Sequence, residues 1–451
     1  MTRQQETTPT EPTEPTEPTE PTEKEQVVPG PDPQVGEEGR AALLRLGLIV
    51  LGGLLAAYVT GAGQVVMIVL AIVLMIMLHE LGHFVTAKWA GMKVTEFFLG
   101  FGPRLWSVRK GETEYGVKAI PAGGYVKIIG MSNLEEVDPA DEPRTYRQKP
   151  YWRRLMVVVA GSTMHFVIAF VLLYVVHTGT GIVDFDRPTL EVGSISRLES
   201  GPSPAQEAGF RLGDRILAVD GRPVDSWEDI PGQIRPRPGE EVTFDVERDG
   251  QRVQLTAVPV DLSKVEVEGA GPEERPSRPV GFVGIGPSFP VERAGAVDGL
   301  GDAATGLRRV SVETVKALGQ VFSPEGASTY GRQLLGQEPE PDQEDARPLS
   351  VVGAVRVASQ AADEGWRELL VLMVVINVFV GILNMLPLLP FDGGHAAIAT
   401  YERLRSRKGQ RYYADVAKAM PVYYAVFMLI AFIAVTSLYL DIIRPLSNPF
   451  E

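Results

Sequence analysis

The chain has 451 residues, enough for several domains, and 45% of them are hydrophobic. Its net charge of −14 argues against a nucleic-acid partner, because phosphate binding needs a basic face. It has no cysteine, which excludes thiol catalysis, Cys-ligated zinc, iron–sulfur clusters and disulfides. Any imidazole metal site must draw on His79, His83, His165, His177 and His395, the five histidines present.

Residues 1–40 include the repeat TEPTEPTEPTEPTE, which has almost nothing to bury and predicts a disordered acidic tail. Because this tail precedes the first apolar run, that run does not read as a cleavable signal peptide. The run itself, 41–61, is long enough for an extra transmembrane helix, although Arg45 weakens its start. A second apolar stretch covers 65–90. The loop at 91–154 contains alternating residues over 94–131, with turns at Gly102-Pro103 and Lys110-Gly111. A third span follows at 155–177.

A folded domain occupies 188–288, where Asp220-Gly221 and Asp249-Gly250 mark turns between strands. Its last part, with the Pro-rich stretch 272–290, reads as a linker. Amphipathic helices at 300–321 and 350–365 lie within the 289–365 segment that returns to the membrane. The fourth span is placed at 366–395 and the fifth at 421–441. The predicted fold class is a polytopic α-helical membrane protein: four core transmembrane helices, an additional N-terminal one, a membrane-associated β-hairpin region and an α+β domain outside the bilayer.

Basic residues set the orientation. Lys93, Arg104, Arg109, Lys110, Lys149, Arg153 and Arg154 lie between the second and third spans. Arg403, Arg405, Arg407, Lys408 and Arg411 lie between the fourth and fifth. Both loops are therefore expected in the cytoplasm with the N-terminal tail, and the 188–288 domain outside. With a rise of about 1.5 Å per residue, His79 lies roughly 21 Å from the outer edge and Asn384 roughly 22 Å. Gly161 to His165, on a span running the other way, lie roughly 10 to 17 Å above the cytoplasmic edge. Three spans thus place polar residues in one layer, where lipid makes isolated polar groups costly.

His79 and His83, in HELGH, are spaced i, i+4 and project from one helix face, so they can ligate one ion. An ion there activates water toward a carbonyl, and Glu80 is placed to take the proton. A catalytic zinc needs a third protein ligand and an open position. In LNMLPLLPFDGGH (383–395), Pro387 and Pro390 interrupt the helix and Asp392 follows, with Gly393 and Gly394 permitting a tight turn. Read alone, Asp-Gly-Gly is a plain turn; beside the histidine pair, Asp392 becomes the candidate third ligand.

HELGH in an early span, NMLPLLPFDGG (384–394) in a late one and a soluble domain between them resemble the site-2 protease family of intramembrane zinc metalloproteases. The bacterial branch that carries a PDZ domain is the most similar. The likeness runs from about residue 65 to 440. It implies one Zn²⁺ per chain on His79, His83 and Asp392, with Glu80 as catalytic base. It also implies substrate contacts at Asn384 and at the third-span positions Gly161 and His165. The family has asparagine where this chain has His165, so that residue departs from the pattern. Residues 190–230 resemble a PDZ domain, whose groove would take peptide C-termini or extended segments. The implied partners are the lipid bilayer of a bacterial cell membrane and single-pass transmembrane substrates, for instance an anti-sigma factor already cut outside. Two other readings stay open: a PDZ-bearing membrane scaffold with a vestigial metal site, and a metal transporter.

Overall fold

The computed structural model of the chain describes residues 37–131, 135–268, 276–337, 347–407 and 410–446. The expected disordered tail lies outside the described residues as far as 36, and 37–40 already belong to the first helix. That helix, α1 (Glu37–Val59), runs ahead of α2 (Gly63–Trp89), and over 46–59 and 65–78 they are apolar on all sides. A helix without a polar face suits lipid or a protein core, not water. Among the described residues, five helical stretches are long and apolar enough to cross a membrane.

Strands β1 (Val94–Lys110) and β2 (Thr113–Ile128) follow. Their pairing differs from a plain hairpin. Residues 104–110 pair with 113–118 across the turn at Gly111, while 96–99 lie between 114–117 and 124–127. Each strand therefore bends on itself, and the expected turn at Gly102-Pro103 is the bend in β1 where the register shifts. The result is a four-segment sheet with 124–127 on one edge. Among the described residues that edge pairs only with 96–99.

Helix α3 (Tyr151–Val175) ends in a short π turn, and β3 (Ile182–Val183) opens the extramembrane domain. There β4 (Val192–Ile195), α4 (Pro204–Ala208), β5 (Arg215–Val219), β6 (Arg222–Pro223), α5 (Asp229–Ile234), β7 (Val242–Arg248), β8 (Gln251–Ala257) and β9 (Val260–Asp261) follow in order. The central sheet has the order β6-β5-β7-β8. Asp220 and Asp249 hold φ of 48° and 51°, each followed by a glycine of positive φ, as tight hairpin turns require. The stretch expected as a linker is partly structural. Strands β10 (Gly281–Phe282) and β11 (Ile285–Pro287) pair back onto β9 and β4, and Val283 between them is buried in the domain core with Phe244 and Ile216. Strand β12 (Val291–Glu292) then pairs with β3, so the domain's two ends leave it side by side.

Helices α6 (Asp298–Val321), α7 (Pro324–Leu334) and α8 (Val351–Glu364) lead to α9 (Trp366–Asn384). The middle one of these was not anticipated; Ser323 caps it through the Gly326 N–H. The span expected over 366–395 is not one helix. It stops at Asn384, and a separate helix, α10 (Asp392–Arg405), begins at the aspartate. Helix α11 (Met420–Ile443) is the last among the described residues.

Small residues let the inner helices meet closely. A Cβ on Gly82 would stand 2.7 Å from the Ala160 carbonyl oxygen, and one on Gly381 would stand 3.1 Å from the His165 Cβ. These positions join α2 to α3 and α3 to α9, which is how helices associate where lipid supplies no hydrophobic drive. Two apolar clusters extend the bundle, one joining α2, α8 and α9 and the other α3, α6 and α9.

Candidate metal centre

The i, i+4 spacing on α2 brings the two imidazoles together, with Nε2 of His79 and Nε2 of His83 3.2 Å apart. Both are buried, at 8% and 7% exposure. The Nδ1–H of His83 donates to the Val157 carbonyl of α3 at 2.7 Å. Because a carbonyl only accepts, that bond fixes the tautomer and leaves the Nε2 lone pair free for a metal. Gly161, one turn further along α3, packs under the pair: a Cβ there would overlap Nε2 of His83 and stand 2.7 Å from Nε2 of His79.

Asp392 arrives from the other side of the sequence. After α9 the segment 385–391 is irregular, as Pro387 and Pro390 require. Gly393 and Gly394 do not form the expected tight turn; they occupy the first turn of α10. Their lack of side chains lets that turn lie against the main chain of the irregular segment, since a Cβ on Gly394 would stand 2.6 Å from Leu389 N. The carboxylate is thereby aimed at the imidazoles. Its Oδ2 lies 3.4 Å from Nε2 of His79 and 3.2 Å from Nε2 of His83.

These three separations test whether zinc fits. Corners of a tetrahedron with ligand bonds of about 2.0–2.1 Å lie about 3.3–3.4 Å apart. The observed 3.2, 3.4 and 3.2 Å match that edge without further closure. Asp392 Oδ2 and His79 Nδ1 are buried with no hydrogen-bond partner among the described residues, and for the carboxylate oxygen a cation would satisfy the need. Two nitrogens and one oxygen, with the aspartate side chain still 22% exposed, leave the fourth position open. Among the described residues these three form the group able to hold a metal.

Glu80 is adjacent on α2 but outside the trio. It faces the main chain of β2 at Gly124 and Val126, with its Cγ 3.2 Å from where a Gly124 Cβ would lie. The free edge of the sheet therefore runs past the carboxylate. Asn384, half-buried at the end of α9, makes no side-chain hydrogen bond among the described residues.

Gly161 and His165, expected as substrate contacts, are both buried and packed against the metal ligands. His165 is 1% exposed, its ring 4.9 Å from that of His79. Its Nδ1 lies 3.1 Å from Oδ1 of Asn377, whose amide donates to the Met373 carbonyl at 2.8 Å. That donation makes Oδ1 the acceptor, so His165 is the donor and supports the site from behind. Its partner Asn377 was missed in the sequence, although a lone amide in an apolar span is itself a signal. His177 donates to its own helix at Leu173, and His395 sits in the first turn of α10.

The chain matches the model of peptidase family M50 over residues 67–430. Zinc metalloprotease Rip1 of Mycobacterium tuberculosis is 35% identical over 411 residues, 86% of this chain and 98% of that protein. The Rip1 zinc metalloprotease of Mycolicibacterium smegmatis is 34% identical over 408 residues, 85% and 98% of the two chains. A putative zinc metalloprotease of Rhizobium meliloti is 30% identical over 353 residues, covering 74% of this chain and 85% of its own.

Proposed function

The chain belongs to peptidase family M50, and we propose that it cleaves single-pass membrane proteins within or near their transmembrane segment. It is a membrane zinc metalloprotease of the site-2 type, with His79, His83 and Asp392 as its candidate metal site. The observation that carries the reading is the convergence of these three ligand atoms, from segments more than 300 residues apart, at the spacing of a zinc tetrahedron.

Bound there, zinc supplies Lewis-acid polarisation of water and of the scissile carbonyl. The chain's own residues do the rest. Glu80 accepts the proton that the attacking water gives up as its oxygen bonds to the carbonyl carbon. It returns that proton to the amide nitrogen as the C–N bond breaks, so a carboxyl and an amine leave. A transmembrane helix hides its peptide bonds, so it must unwind first. The free edge at 124–127 offers the unwound strand replacement hydrogen bonds beside Glu80. Asn384 then holds the substrate backbone or the developing oxyanion.

The unit of β4 to β11 is read as a PDZ domain that takes an extended or C-terminal peptide by strand addition and passes only substrates already trimmed outside. The basic loops support a cytoplasmic metal-proximal face and an extracytoplasmic PDZ domain in a bacterial cell membrane. An anti-sigma factor after a first external cut is the substrate type this arrangement suits. Glu80→Gln should keep about one zinc per chain yet abolish cleavage of a co-expressed transmembrane substrate. Unchanged cleavage, or a wild-type protein without zinc, would refute the proposal.

A further inference from the structure

The end of α3 farthest from the extramembrane domain opens on a cavity of about 310 Å³, walled by the start of α3 and the second half of α10. Its lining holds five cationic side chains and one carboxylate, that of Glu402. Arg147 is paired with Glu142 at 2.6 Å and Arg154 with Glu402 at 2.7 Å. The other three, Lys149, Arg403 and Arg411, make no ion pair among the described residues. Arg411 is held in place by donating to the carbonyls of Gln148 and Lys149 at 2.9 and 3.3 Å.

Three further observations favour an anion as the ligand of this cavity. Arg154 is 9% exposed, and among the described residues its Nε–H has no hydrogen-bond partner. Burial and the neighbouring charges of Arg153 and Arg144 together push the Lys149 ammonium below the ordinary lysine range. Excess like charge of this kind destabilises the fold until a counter-charge arrives. The first turn of α3 has no side-chain cap; the Arg153 and Arg154 amides bond the Pro150 carbonyl, which leaves those of Tyr151 and Trp152 at this end with the positive pole of a long helix. Beside the opening, Trp152 is 72% exposed and Tyr151 stands next to it, aromatic residues of the kind that settle at headgroup level.

We propose that this cavity binds a phosphate anion, presented either by an anionic phospholipid headgroup or by a soluble phosphate. Basic pockets between transmembrane helices take phospholipid headgroups in this way, and the volume suits a glycerophosphate. The site is separate from the metal centre and does not depend on the substrate assigned above.

The test uses the full chain in nanodiscs of phosphatidylcholine alone or mixed with phosphatidylglycerol, and in non-ionic detergent with and without inorganic phosphate. Ligand that binds only the folded protein raises its melting midpoint. A rise of about 2–4 °C in the phosphatidylglycerol discs, halved or more by Lys149→Gln and by Arg403→Gln, assigns the site to lipid. The same variant-sensitive rise with inorganic phosphate in detergent assigns it to a soluble anion. Arg403 is exposed, so its replacement leaves the packing intact if the lysine variant fails to fold. No rise in either medium, or a rise that both variants retain in full, overturns the proposal.

Discussion

Gly161→Ala is the sharpest test of the metal centre, because it adds one methyl and removes nothing. In the wild-type backbone that methyl would lie 2.6 Å from Cε1 and 2.7 Å from Nε2 of His79, and would overlap Nε2 of His83. Carbon atoms rest at about 3.5–4.0 Å, so a ring or the helix must move by about 0.8 Å or more. Zinc sites hold their ligand distances to about ±0.2 Å, so the displacement is about four times what the ion tolerates. Retreat of α3 from α2 is opposed by its close packing against α9, where Gly381 meets His165. The imidazoles must therefore give way. Zinc affinity should fall at least about 100-fold, the upper range for disturbing a ligand's support, while overpacking costs the apo protein only about 1–3 kcal/mol. Zinc per chain, measured by elemental analysis after equilibration against a graded chelator, gives the affinity; far-UV circular dichroism reports the fold. Wild-type affinity in a folded Gly161→Ala protein would refute the account of how α3 packs against the ligands.

Two other substitutions separate packing from chemistry. Glu402→Gln leaves the buried Arg154 without its counter-charge and should destabilise by about 3–5 kcal/mol, whereas Arg154→Met combined with Glu402→Met should cost less than that single change. Melting of both proteins in one detergent decides it, and a single variant no worse than the double sinks the idea. Gly124→Val would put a branched side chain 3.1 Å from Met77 Sδ and 3.2 Å from Glu80 Cγ at the sheet edge. Cleavage should fall about 100-fold with zinc unchanged, as expected when a reacting geometry is displaced by about 1 Å; wild-type cleavage would dissociate that edge from substrate binding.

What the sequence made legible follows from chemistry that is rare in lipid. HELGH stands out because imidazole is scarce in this chain and because i, i+4 has only one meaning on a helix. Asp392 is legible for a related reason: Pro387 and Pro390 announce irregular backbone at membrane depth, which needs a cavity or protein around it. The glycines after it were misread as a turn because the same residue type serves close packing, and only the contact partner, here the main chain of 385–389, tells the two apart. The doubled pairing of β1 and β2 was hidden because alternation marks a strand but not its neighbours. Val283 read as linker because two-residue strands carry no periodicity, although the domain core closes over it.

The pair of Arg154 and Glu402 shows why so much of the site lies outside the ligands. Asp392 and Glu402 are ten residues apart on α10, a lever of about 15 Å. A tilt of 1° about the far end moves the carboxylate by about 0.26 Å, already beyond the tolerance of about 0.2 Å for a zinc ligand. Apolar contacts such as those of Ala396 against α3 are non-directional and do not by themselves fix an angle that finely. A buried ion pair at 2.7 Å does, and it is braced twice. Arg154 lies over the Tyr146 ring at 4.9 Å, and the other oxygen of Glu402 accepts from the Ala414 N–H at 2.8 Å. Two costly charges are thus placed where an angular error would be most damaging. The helix that carries the third ligand is held at both ends, by glycine contacts at the metal and by this ion pair on the opposite side.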